Sequence, residues 1–365
     1  MVVDWRQSCQ SGHNGNESKM TTQLKPSENG ILPSPFPEGW YFIASRETIE
    51  KKQLIQKTWM GENIVAYCDE DGRICVAEAY CPHLGSDLSP AAGGRVRDGR
   101  LVCPFHGYEF DATGTCVATP YAPAPRHTGL RVLETQEIVG MIFAWWGVQG
   151  REPQWHLPVD ALDEDGWCDL EIRTVRFAGH PQETTENSVD LAHLRYIHGF
   201  GHVERTEPVA VDGPYLRSRF DFKSTRSIAG IAKLTFDLSA DTHVYGLGYS
   251  FVDIHEHSIG MDMRLWVLAT PVDGTLIEMS LASQVREIRK PKRWLAGLGF
   301  LPVGMRAPIM NSFTASQQER EVRQDEIIWS RKRYQARPRL CKSDGEITRY
   351  RRYCAQFYPE LAESN

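Results

Sequence analysis

Two short motifs limit what this chain can fold into: Cys81-Pro-His83 and Cys103-Pro-Phe-His106, with 19 residues between them. Two thiolates and two imidazoles suit either zinc or a two-iron, two-sulfide cluster. Zinc modules generally take their ligands as one close Cys pair and one close His pair. Here each pair mixes the two residue types, so each loop can give a sulfur to one iron and a nitrogen to the other. Both loops carry Pro and Gly beside short apolar runs, where backbone N–H groups can reach cluster sulfides. A zinc ribbon is the competing reading. Nine cysteines spread over 365 residues are too sparse for a disulfide framework, and the N-terminus has no charged-then-apolar signal segment. Thiols and metal ligands in a reducing cytoplasm are therefore expected.

Around these loops, short apolar runs alternate with turn signals. Ile64–Tyr67 and Ile74–Ala77 flank Asp69-Glu-Asp-Gly72 and predict a hairpin, and Arg100–Cys103 and Met141–Trp146 predict further strands. The expected organisation is a flexible leader over 1–33, rich in Ser, Asn, Gln and Gly, then a small all-β domain over 34–155. A catalytic domain follows over 156–365. In it, residues 183–198 read as helix, and alternating stretches near 215–223, 243–256, 259–270 and 275–288 read as an antiparallel sheet. A polar helix is expected over about 314–334. Segregated strands and helices make the fold class α+β. A net charge of −6 offers no basic field for nucleic acid, and no apolar run approaches the ~20 residues of a bilayer span.

The second concentration of ligand-type residues is Glu186-Asn-Ser-Val-Asp190-Leu-Ala-His193-Leu-Arg-Tyr-Ile-His198. His193 and His198 would sit about 140° apart on an ideal helix. They meet at one ion only if the helix distorts or ends between them, and Gly199 suits such an end. Two imidazoles call for a carboxylate to complete the facial triad of ferrous oxygen-activating sites. Asp325 is the candidate, since it shares a helical face with Val322, Ile328 and Trp329, where an unpaired acid would be costly. The alternative is a simple ion pair with Arg320 or Arg323, and Glu321 is a weaker substitute ligand. The remaining histidines read as structural or surface residues, with His255-Glu-His257 a reserve candidate.

Cys81-Pro-His-Leu-Gly85 and Cys103-Pro-Phe-His-Gly-Tyr-Glu-Phe-Asp-Ala-Thr-Gly114 resemble the Rieske family, and Glu-x3-Asp-x2-His-x4-His resembles the iron motif of its oxygenases. Ser86 stands where respiratory Rieske proteins place a disulfide cysteine, which points to the oxygenase and ferredoxin branch. Pro37-Glu-Gly-Trp-Tyr41, Pro338–Gly345 and Arg349–Tyr358 are similar to the 3-ketosteroid 9α-hydroxylase and cholesterol 7-desaturase group. The resemblance implies an N-terminal Rieske [2Fe–2S] domain held by Cys81, His83, Cys103 and His106. It also implies a C-terminal helix-grip domain with Fe(II) on His193, His198 and Asp325. It implies a homotrimer in which Asp190 bridges a cluster histidine and His193 between subunits. Such an enzyme hydroxylates or desaturates a bulky, steroid-like substrate with O2. Its electrons come from NAD(P)H through a separate ferredoxin or flavin reductase, because no dinucleotide fingerprint occurs here. An aromatic ring-hydroxylating dioxygenase, an O- or N-demethylase, or a Rieske electron carrier with a lipid-binding domain are the alternatives. The apolar segment 293–306, flanked by Lys290, Lys292 and Arg306, is read as a lid, a shallow membrane contact or a buried loop.

Overall fold

The computed structural model describes residues 34–162, 165–228, 232–289, 291 and 298–359. The leader expected over 1–33 lies outside them. The first half is built from β1 (Gly39–Ser45), α1 (Arg46–Lys52), β2 (Leu54–Trp59), β3 (Glu62–Cys68) and β4 (Ile74–Glu78). It continues with β5 (Arg95–Arg97), β6 (Arg100–Val102), β7 (Glu109–Phe110), β8 (Cys116–Ala118), β9 (Thr135–Ile138) and β10 (Met141–Trp146). They form three small sheets, ordered β1-β10-β9, β2-β3-β4 and β5-β6-β7-β8. The expected β3–β4 hairpin is present, and its turn is closed by Asp69 Oδ1, which accepts from the N–H groups of Asp71 and Arg73.

The second half is one seven-stranded antiparallel sheet, ordered β11-β17-β16-β15-β14-β13-β12. Its strands are β11 (Glu171–Ala178), β12 (Gly201–Asp212), β13 (Tyr215–Ile228), β14 (Ala232–Tyr245), β15 (Tyr249–Glu256), β16 (Met261–Pro271) and β17 (Leu276–Val285). The alternating stretches read near 215–223, 259–270 and 275–288 fall on β13, β16 and β17, and the stretch near 243–256 covers β15 together with the end of β14. The sequence reading missed most of β14 and also the two edges, β11 and β12, which carry charges such as Arg176, Glu204 and Glu207 in place of clean alternation. The helices are α2 (Pro181–Thr185), α3 (Leu191–Tyr196), α4 (Val303–Trp329) and α5 (Ile347–Cys354). α4 begins eleven residues before the expected start, tolerating Pro308 near its N-terminus, and stops at Trp329. It lies across the sheet, with Val322 and Trp329 packed on Val175, Phe177, Met279 and Leu281.

β16 shows why both faces of this sheet are apolar. Its odd residues, Met261, Met263, Leu265 and Val267, line a cavity beneath α4. On the other face Trp266 and Leu268 enter a core that also holds Trp40, Phe42, Phe143 and Tyr249, so the two halves share one aromatic core. Arg264, on that second face, is buried as well, paired with Asp253 and stacked 4.7 Å from the Trp167 ring. The approach between the halves is close. A Cβ on Gly248 would stand 2.4 Å from the Trp40 carbonyl oxygen and 2.3 Å from the Tyr41 ring. Lys57 of β2 reaches across to Glu278 of β17 at 2.7 Å, with both side chains nearly buried.

Candidate metal centres

The two Cys/His loops have the same backbone design. The Cys81 N–H donates to Ser86 O and the Cys103 N–H to Tyr108 O, each at 2.8 Å. Gly85 and Gly107 then turn back with φ +72° and +70°, donating to Cys81 O and Cys103 O. In the longer connection between the loops, Ser89 caps the turn Pro90–Ala92, and Gly93 takes φ +93°. A Cβ on Gly94 would lie 1.9 Å from Leu88 O, so the Gly-Gly pair is what lets this loop close.

Folding pairs like with like. Cys81 and Cys103 are both buried and face each other, and burial pushes the Cys81 thiol up to about 11. The His83 and His106 rings lie 4.8 Å apart, with His83 stacked on Tyr108. Among the described residues, only the His193 set brings three ligand atoms within 4.8 Å of one another. A single tetrahedral zinc, with bonds of about 2.0–2.3 Å, would draw these four donors tighter than that. Sulfurs on one side and imidazoles on the other, spread more widely, fit a two-iron group with Cys on one iron and His on the other.

The second site depends on a broken helix. Residues 183–198 are not one helix: α2 ends at Thr185, Glu186–Ser188 form a 3-10 turn, and α3 runs only from Leu191 to Tyr196. Glu186 anchors this turn, accepting from Lys332 and Arg351, each at 3.0 Å. Asp190 is the N-cap of α3; its Oδ1 accepts from the N–H groups of Ala192 and His193. The expected side-chain link from Asp190 to the His193 ring is absent within the chain. His193 Nδ1 instead donates to the Asp190 main-chain oxygen. Because α3 ends at Tyr196 and Gly199 has φ +67°, His198 swings round until its ring is 5.3 Å from that of His193.

Asp325 comes from α4 to meet them, and the ligand atoms of His193, His198 and Asp325 lie within 4.8 Å of one another. Asp325 is buried, with Oδ2 3.3 Å from His198 Nε2 and 3.3 Å from Asn187 Nδ2. Neither Arg320 nor Arg323 pairs with it. Arg320 bonds Gln317, and Arg323 bonds Glu319 and Glu326. Of its expected apolar neighbours, Val322 and Trp329 are buried but Ile328 is exposed. His198 Nδ1 is 3.0 Å from Gln324 Oε1 and donates to it, which leaves Nε2, facing Asp325, as the atom that would bind a metal. Burial lowers the pKa of both imidazoles. For His193 it prevails; for His198 the bonds to Asp325 and Gln324 outweigh it and raise the value above 6.5. Two imidazoles and one buried carboxylate that no Lys or Arg pairs with among the described residues form a donor set suited to a divalent iron.

The triad sits between two concavities. On one side is a cavity of about 600 Å3, walled by Phe200, Phe220, Phe222, Phe236 and aliphatic side chains of β14–β16 and α4. On the other is a surface groove lined by Asp190, His193, Tyr196, Asp325 and Ile328. Cys81, His83, Cys103 and His106 line neither.

The chain was compared with known families and structures. Residues 39–136 match the Rieske [2Fe-2S] domain, and residues 144–358 match the 3-ketosteroid 9alpha-hydroxylase C-terminal domain. The chain belongs to the Rieske non-haem iron oxygenases. It is 30% identical to a cholesterol 7-desaturase of Ciona intestinalis, over 90% of this chain and 70% of that one. It is 28% identical to the oxygenase component of 3-ketosteroid-9-alpha-monooxygenase of Rhodococcus rhodochrous, over 93% and 89% respectively. Dicamba monooxygenase bound to 3,6-dichlorosalicylic acid shares the fold, with a TM-score of 0.69 at 18% identity, covering 91% of this chain and 99% of that one.

This Rieske oxygenase is an oxidoreductase working with a [2Fe–2S] cluster and a mononuclear iron. The sequence reading overlooked Gln324 and Asn187, which hold His198 and Asp325. Their proximity to Asp325 and Glu186 in sequence was the available signal. Arg306, read as a flanking cation, is buried, and its guanidinium donates to the carbonyls of Ile288, Arg289, Gly299 and Leu301. It clasps the ends of the apolar segment, whose residues 292–297 lie outside the described residues. Among the described residues no helix is long and apolar enough to cross a membrane.

Proposed function

We propose that Cys81, His83, Cys103 and His106 hold the cluster and that His193, His198 and Asp325 hold the iron. The enzyme then hydroxylates or desaturates a bulky, steroid-like molecule bound in the 600 Å3 cavity. The observation that carries this reading is the position of the triad at the wall of a large, mainly apolar cavity with no Lys or Arg among the described residues of its lining. Such a space suits a rigid hydrocarbon skeleton better than an aromatic acid. The relatives named for cholesterol and 3-ketosteroids support the same substrate class.

The iron supplies O2 activation when bound, with electrons arriving through the cluster. The residues of the chain do the rest. Gln324 Oε1 and the Asp190 carbonyl keep the Nδ1 protons of His198 and His193, so Nε2 of each ring would be the atom offered to the iron. Asn187 holds the Asp325 carboxylate. The phenylalanines exclude water from the substrate face and keep the oxidation on the bound hydrocarbon.

The groove on the far side of the triad suggests how electrons arrive. Exposed Leu84 and Phe105 crown the cluster loops, and exposed Tyr196 and Ile328 rim the groove. In a homotrimer the loops of one copy would enter the groove of the next and bring a cluster histidine to Asp190. A separate ferredoxin or flavin reductase feeds the cluster, and the cytoplasm is the matching compartment. The deciding experiment is product analysis on a panel of sterols and aromatic acids, with iron-loaded protein and a surrogate reductase. A new hydroxyl or double bond on a sterol is expected. Turnover of aromatic acids alone would overturn the substrate assignment.

A further inference from the structure

Most polar side chains around the cavity are spent on the protein itself. Ser250 Oγ donates to Val267 O at 2.7 Å, Thr184 Oγ1 to Pro181 O at 3.0 Å, and Gln318 Nε2 to Trp266 O at 2.8 Å. Glu256 lines the cavity too, but its two oxygens accept from the N–H groups of Ser258 and Ile259. Ser224 differs. It stands on the β13 wall of the cavity, is 5% exposed, and its Oγ has no hydrogen-bond partner. A buried hydroxyl left unpaired is costly, and native proteins rarely keep one without a ligand or water to complete it.

The placement of Ser224 is equally informative. The Phe200 ring lies 5.6 Å from His198 and 4.8 Å from Phe222, and Ser224 is the next residue of β13 facing the cavity, opposite Phe236 of β14. Its hydroxyl is therefore two ring contacts and one strand step along the wall from the triad, a path on the order of 15 Å. Between them the β13 wall is aromatic. A hydroxyl both donates and accepts. With no Lys or Arg among the described residues of the cavity lining, it suits a neutral oxygen, a hydroxyl or carbonyl, and not a carboxylate.

We propose that Ser224 is a specificity residue that binds a neutral oxygen at the end of the substrate remote from the carbon oxidised. The skeleton is thereby held at both ends, with its length fixing which carbon faces the triad. On a steroid, a path of that length reaches an oxygen on the side chain, away from the rings. The proposal rests on the steroid reading above, and its test separates the two.

Equilibrium dialysis of the full-length protein compares a labelled steroid hydroxylated at its side-chain terminus with the same steroid lacking that hydroxyl. Ser224→Ala is expected to weaken binding of the hydroxylated steroid about five- to tenfold, the worth of one buried hydrogen bond. Binding of the deoxy steroid should be unchanged. Ser224→Thr, which keeps the hydroxyl and suits a strand, should restore the preference. With a reductase present, Ser224→Ala should also spread oxidation over more than one carbon. Equal affinities of wild type and Ser224→Ala for the hydroxylated steroid would overturn the proposal alone, as would a parallel loss for both steroids, which marks a packing defect. Failure of the wild type to bind either steroid would overturn the substrate reading along with it.

Discussion

Replacing Gln324 by Ala removes the one side chain that holds the Nδ1 proton of His198, 3.0 Å away. The ring then exchanges tautomers and rotates more freely, and some molecules present a protonated Nε2 to the metal. One such hydrogen bond contributes about 1 kcal/mol, and a free choice between two tautomers costs about another 0.4 kcal/mol. Together they weaken Fe(II) binding by about tenfold, the low end of the 10–100-fold usual for partners of metal-binding histidines. Gln324 is exposed, and water replacing its oxygen keeps the loss at that low end. Gln324→Glu retains an acceptor and should retain the affinity. The assay is competition with a chromophoric ferrous chelator on cluster-loaded protein, with the visible cluster spectrum as internal control. An unchanged affinity in Gln324→Ala, or a loss shared with the cluster spectrum, would refute the reasoning.

Asp325→Ala should yield protein whose cluster spectrum is intact but which retains no mononuclear iron and forms no product; metal analysis with full iron occupancy would contradict it. Ile309, half exposed and also lining the cavity, lies at its mouth. Ile309→Trp should raise KM for a sterol several-fold while leaving both metal sites unchanged, as steady-state kinetics beside metal analysis would reveal. Glu278→Gln strips Lys57 of its partner across the two halves and should cost about 3–5 kcal/mol in urea unfolding at pH 7. The pH dependence has a definite sign. Burial alone would raise the Glu278 pKa, but Lys57 and Arg176 outweigh it and hold it below 4.5. Its stabilisation is therefore complete above about 4.5 and lost as pH falls through the lower folded value, and Glu278→Gln should flatten that acid limb.

The cluster loops were legible because each is a contiguous stretch in which ligand, proline and turn glycine stand side by side. The triad was legible only in part. Helical geometry required a break between His193 and His198, and an acid on an apolar stripe pointed to Asp325. Only their places beside Asp325 and Glu186 in sequence marked Gln324 and Asn187, whose significance arises when α4 crosses the broken helix. Asp190 drew attention as an acid three residues from His193, and its carboxylate in fact caps α3. The edge strands β11 and β12 were missed because their outward faces carry charges that blur the period of two. Arg306 was misjudged because arginine usually stays at the surface, whereas here four carbonyls draw its guanidinium inward.

The core shared by Trp40, Phe143, Tyr249 and Trp266 has a kinetic corollary. A seam of interlocked rings leaves no hinge, so the chain cannot shuttle its cluster towards its own iron by domain swing. In the proposed trimer the electron then crosses a standing interface between copies, and no domain motion limits that step. A protease nick in the Pro153–Pro158 connection should leave the halves stuck together and still melting as one body.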